Sequence, residues 1–205
     1  MGDLLDSLSA ARHRRDLAWV GYYNGDAGLA QGFAEAAEAV FAAWKNGPRS
    51  NDRLLPPLAY NYRHALELAL KQAIRQAAAR LRFDGDDDPA LAPETLETHF
   101  KQKQRHRLDP LARQLAGMLA KLRLDNLPPD TMRLLTQLHQ LDPTGESFRY
   151  DGQLRTNARQ VDVGQLVELF RAAFCVIHDG VPAVLDQYAD FQYEMRQYCA
   201  DGADG

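Results

Sequence analysis

The chain has 205 residues, 45% of them hydrophobic and 25% charged, with 24 Lys plus Arg against 28 Asp plus Glu. That balance supplies a sizeable core and excludes a disordered chain. A net charge of −4 argues against a protein that grips long duplex nucleic acid by its backbone, while leaving room for a local basic pocket.

Two cysteines, Cys175 and Cys199, form no CxxC pair, which suits a reducing compartment and supplies no zinc site. The first residues place acids ahead of bases without an apolar run, and Asp6 stands where a myristoylation signal needs Ser or Thr. No apolar stretch approaches the roughly 20 residues that cross a bilayer. The expectation is a cytoplasmic protein with no membrane partner.

Ala and Leu are plentiful and β-branched residues scarce, so helices are favoured throughout. Residues 3–15 read as a short charged helix. From Asp16 to about Lys45, apolar residues recur at three and four, with a break near Asn24-Gly25. Pro56 and Pro57 open the clearest helix, which runs to about Arg82. The acidic stretch 83–93 reads as a mobile, solvated loop, and 94–104 as a helical turn or two. Asp109-Pro110 is a cap-then-proline start for a helix ending near Leu124. Pro128, Pro129 and Asp130 begin another, ending near Leu141. Residues 142–160 lack helical period and suit an extended turn or short hairpin. From Val163 to about Cys199 the period returns, broken at Gly180 and Pro182 into two helices. The fold class is all-α, a single domain built as a bundle of five to seven helices with one irregular loop.

In the second long helix, Arg63, Glu67 and Lys71 fall at i, i+4 and i+8 beside His64, so the four share adjoining strips of one face. One reading is a solvated stripe of ion pairs. Another is a site in which Glu67 holds Arg63 and Lys71 beside a histidine that can move protons near neutral pH. A third is a buried ion-pair network. His106 stands just before a helix start, where an anion is favoured. Arg149 and Tyr150 lie in the irregular loop, where an arginine can fork onto a carboxylate or a phosphate. The aromatic tail, with Tyr188, Phe191, Tyr193 and Tyr198, suits packing on a partner or stacking on single-stranded bases. Phosphate-binding glycine loops, zinc-protease and nucleophile-elbow motifs are absent, so no metal or cofactor is expected.

Three patches, YRHALELALK (62–71), His106-Arg107-Leu108 and LDPTGESFRYDG (141–152), together resemble a family of bacterial HEPN-like proteins. These are helical bundles of the class named for nucleotide binding in higher eukaryotes and prokaryotes. The family pattern is a Tyr-Arg-His-x-x-Glu-Leu-x-Leu-Lys helix, a His-x-Leu step and a Phe-Arg-Tyr-Pro loop. This chain has Asp151 where that loop has proline. The resemblance implies a protein directed at RNA or a nucleotide, of a class that includes metal-independent ribonuclease effectors of defence and toxin–antitoxin systems, often dimeric. It points to Arg63, His64, Glu67 and His106 as catalytic groups and to Lys71, Arg149 and Tyr150 as substrate contacts. The class signature, Arg and His separated by four to six residues, is met by Arg133/His139 and Arg171/His178. With 19 arginines and six histidines, about two matches arise by chance. Whether the chain is an enzyme stays open. The alternative is a non-catalytic helical subunit that binds a nucleotide or a partner protein from the same operon and regulates another component.

Overall fold

Glycine and proline set most of the boundaries. In the computed structural model, which describes residues 25–48, 51–145, 148 and 160–203, helix α1 (Asp26–Asn46) begins directly after Gly25, whose φ of 135° no L side chain adopts easily. The expected charged helix at 3–15 lies outside the described residues. α1 buries Ala30, Ala34, Ala37 and Phe41, a three-and-four stripe, against α2 (Leu55–Phe83). Pro56 and Pro57 occupy the first turn of α2, where a missing N–H leaves no bond unmade.

α2 is the axis of the molecule. It packs against α1, α4 (Leu108–Lys121), α6 (Val163–Cys175) and α7 (Val181–Ala203). Fifteen of its residues are consequently buried, including Arg63 and Glu67. This overturns the solvated-stripe reading, because the two central charges of the stripe, Arg63 and Glu67, are covered by the helices packed around α2.

Between α2 and α4 the chain makes a short helix, α3 (Pro93–His99), which widens into a π turn at Phe100–Gln104. The preceding acidic stretch is largely exposed, as expected of a solvated loop, yet several of its residues contact the helices. Tyr188 and Gln192 donate to Asp84, Lys121 pairs with Asp86, and Leu91 is buried in a 3-10 turn. Asp109 does not cap α4, which begins one residue earlier. It sits in the first turn, pairing with Arg113 at 2.8 Å and accepting from Thr136 at 2.9 Å.

α5 (Pro129–Leu141) returns across α4 and ends at Asp142, which is fully buried. The extended turn or hairpin expected near 142–160 falls largely outside the described residues, among which there is no strand. The two helices expected around Gly180 and Pro182 are present, and the junction between α6 and α7 is a π turn, Val176–Gly180. Widening the turn suits a proline that has no N–H to donate. The result is an all-α bundle around one continuous apolar core. Among the described residues, no helix is long and apolar enough to cross a membrane.

Candidate functional site

The midpoint of α2 carries a buried ionic network. Glu67 is 1% exposed and Arg63 is 2% exposed. Lys71 Nζ donates to Glu67 Oε1 at 2.6 Å, and Arg63 Nη1 lies 3.6 Å from Oε2. The remaining edge of the Arg63 guanidinium faces two chain segments distant in sequence. Its Nε is 3.1 Å from Asp142 Oδ2, and its Nη2 donates to the carbonyls of Asp142, at 3.0 Å, and His106. One arginine thereby pins the segment before α4 and the segment after α5 to the central helix. Arg63 and Lys71 balance Glu67 and Asp142, as a buried charge cluster requires.

His106 is the exposed member, its side chain 42% accessible. Its Nδ1 lies 3.1 Å from both Glu67 oxygens. An ionised carboxylate only accepts, so Nδ1 carries a proton, and Nε2 is the ring nitrogen not engaged by Glu67. Burial pushes the Glu67 carboxyl up. The hydrogen bonds from His106, His64 and Lys71, with the charge of Lys71, outweigh that and hold it well below the usual carboxylate range. Glu67 therefore stays an anion, fixing the tautomer and orientation of His106.

His64 meets the same acid from the other side. Its Nδ1 is 3.8 Å from Glu67 Oε2, and its ring packs edge-on against Phe33 and stacks on Tyr60. Among the expected site residues, Arg63, His64, Glu67, Lys71 and His106 are thus brought together. Arg149 and Tyr150 lie outside the described residues. His106 precedes the start of α4, as read, but its neighbours matter more than the helix end.

Those neighbours form a basic strap, Lys101, Lys103, Arg105, His106 and Arg107. The π turn throws Arg105 into a left-handed conformation, φ 40°, costing about 1–3 kcal/mol for a non-glycine residue. Gln104, buried, anchors the strap by donating to Gln114 at 2.6 Å, and Arg63 holds the His106 carbonyl. Gly145, φ 80°, closes over them so tightly that a Cβ there would stand 2.6 Å from the His106 Cβ.

Two clefts open on either side of His106, and Arg105 and His106 line both. The larger, about 510 Å³, is lined by Asp26, Leu68, Lys71, Arg75, Glu97, Phe100 and Lys101 as well. The smaller, about 320 Å³, adds Arg107, Pro143 and Thr144. Arg105, Arg107, Thr144, Asp142 and Gly145 were not singled out from sequence. The run KQKQRHR and the turn pattern Asp-Pro-x-Gly were the available signals.

The two Arg/His spacings fare differently. Arg171 forks onto Glu38 at 2.6 and 2.5 Å and also pairs with Glu168, while His178 faces Asp179 and the Ala27 carbonyl. Each is committed elsewhere, and no shared site results. Arg133 pairs with Asp130 at the surface. His139 lies close to the network: burial, then the charge of Arg107, lowers its pKa, with Asp109, Arg63 and Asp142 also acting on it. Among the described residues no three His, Cys, Asp or Glu side chains are grouped to hold a metal ion.

Comparison with protein-family models, with curated proteins and with solved structures finds no match to the chain. The functional reading therefore rests on the geometry of the strap and its buried support.

Proposed function

We propose that the chain is a HEPN-like protein directed at RNA or a nucleotide, working in the cytoplasm, with His106 as its proton-transfer group. The observation that carries this reading is a half-exposed histidine, fixed through Nδ1 by a buried carboxylate, in the middle of a basic strap. An imidazole so held has a defined basic nitrogen, and the surrounding cations favour a phosphate beside it. In ribonucleolysis His106 Nε2 takes the proton of a ribose 2′-hydroxyl as its oxygen bonds to phosphorus. The bond from phosphorus to the 5′-oxygen breaks, and that oxygen takes a proton from water. Arg105 and Arg107 offset the charge that develops on the phosphoryl oxygens. Arg63 and Glu67 touch no substrate in this scheme; they position His106.

A second reading has its own observation. The strongest interactions are sealed beneath the surface, which equally suits a non-catalytic subunit that holds a phosphate-bearing ligand and acts on a partner protein. One experiment separates the two. The purified chain and His106→Ala are incubated with total RNA and with tRNA in the presence of a chelator. Catalysis predicts fragments with 2′,3′-cyclic phosphate ends and a loss of about 10²–10⁴ in rate for the variant. Intact RNA that is nevertheless retained on both proteins selects the binding subunit. Intact RNA with no retention of RNA or nucleotide sinks both.

A further inference from the structure

We infer that the two clefts flanking His106 divide a nucleotide between them, the base entering the larger and the 3′-phosphate the smaller. The inference rests on the nucleotide-directed reading and goes beyond it by assigning each half of the ligand.

The argument is one of charge compensation. In the larger cleft two of the four cationic side chains, Arg75 and Lys71, are already matched. Arg75 is bridged by Asp26 and Glu97, each at 2.6 Å, and Lys71 is bound to Glu67 at 2.6 Å. A phosphate placed there would meet two carboxylates. A base would meet what suits it. Leu68 and the Phe100 ring are apolar, the Arg75 guanidinium lies 5.0 Å from the Phe100 centroid, and Asp26 and Glu97 can accept from ring or amino N–H groups.

The smaller cleft has the opposite character. Arg105 and Arg107 line it with His106, Thr144 and Pro143, and no carboxylate is among its lining residues. Two guanidinium groups and a hydroxyl in one recess are the donor set of a phosphate. Because Arg105 and His106 form the wall common to both clefts, the sugar joining base to phosphate falls against His106. That is where a 2′-hydroxyl has to stand for Nε2 to take its proton. The strained φ of Arg105 has a purpose on this assignment: it turns one side chain into the boundary between the clefts.

Titration calorimetry with three probes tests the division: adenosine, inorganic phosphate and adenosine 3′-monophosphate. The expected result is that the nucleotide binds at least tenfold more tightly than either fragment. Arg107→Ala, at an exposed position, brings the nucleotide down to the affinity of adenosine and leaves adenosine unchanged. Glu97→Gln weakens adenosine and the nucleotide but not phosphate. Phosphate binding as tightly as the nucleotide overturns the division while leaving a phosphate-directed protein in place. So does an equal effect of both variants on all three probes. If none of the probes binds and RNA is not retained, the underlying reading fails together with the inference.

Discussion

At the residue scale the decisive group is Glu67. A carboxylate 1% exposed survives as an anion only because Lys71, His106, His64 and Arg63 surround it, and the arrangement stores a pH dependence. Its folded pKa lies below the unfolded value near 4.5, so its contribution to stability is complete above that value. As pH falls below about 4.5 the unfolded chain binds a proton that the native chain refuses, and stability is lost. Glu67→Gln keeps the shape and removes the charge. It leaves Arg63 and Lys71 under-compensated and is expected to cost about 3–5 kcal/mol at neutral pH. The same variant has a flatter loss of stability between about pH 5 and 3, because the titrating group is gone. Urea melts across that range measure both quantities. An unchanged acid limb in the variant would show that Glu67 is not the group responsible.

At the scale of elements, the site exists because three segments meet: the middle of α2, the strap from the π turn to α4, and the turn after α5. Gly145 is where the third closes on the second. Its φ of 80° and the 2.6 Å separation that a Cβ would have from the His106 Cβ leave no room for a side chain. Gly145→Ala is expected to destabilise by about 1–3 kcal/mol and to displace the turn from His106. Calorimetric melting, with the phosphate affinity measured alongside, checks this. Loss of stability with unaltered phosphate binding would separate the turn from the smaller cleft. Much of this level was legible in the sequence. Prolines 56, 57 and 129 and the three-and-four periodicity give the long helices to within a few residues, because steric exclusion and amphipathic burial are local effects. The Arg63–Glu67–Lys71 spacing likewise placed those side chains together. What was not legible has a common cause. Periodicity assigns a helix one buried face, and α2 has neighbours on several sides, so the spacing left a solvated stripe, a proton-transfer site and a buried network all open, and the fold buries Arg63 and Glu67. The two π turns leave no periodic trace, and the strap they help to shape looked like an ordinary basic run. Asp142 meets Arg63 across 79 residues of chain, a pairing no local pattern announces.

For the molecule as a whole, a net charge of −4 conceals a segregation along α2. The acidic turn around Asp84, Asp86, Asp87 and Asp88 follows its C-terminal end, about 25 Å along the axis from Glu67 at 1.5 Å per residue. The strap, with Lys101, Lys103, Arg105 and Arg107, lies against its middle. An overall acidic protein repels a polyanion on average, and among the described residues the strap is a concentrated basic run where attraction is expected. Single-stranded RNA is then expected to bind with a salt dependence set by the few phosphates the strap neutralises. Each contributes about 0.7 to the slope of log affinity against log salt, so two or three contacts predict a slope of about −1.4 to −2. The double variant Arg105→Ala/Arg107→Ala should reduce its magnitude by about 1.4, because two cations are removed. Fluorescence anisotropy on a labelled oligonucleotide between 50 and 300 mM salt (a range of about sixfold) measures both slopes. A wild-type slope near zero would mean that the strap does not touch phosphate. A steep slope unaffected by the double variant would move the electrostatic contact to another part of the surface.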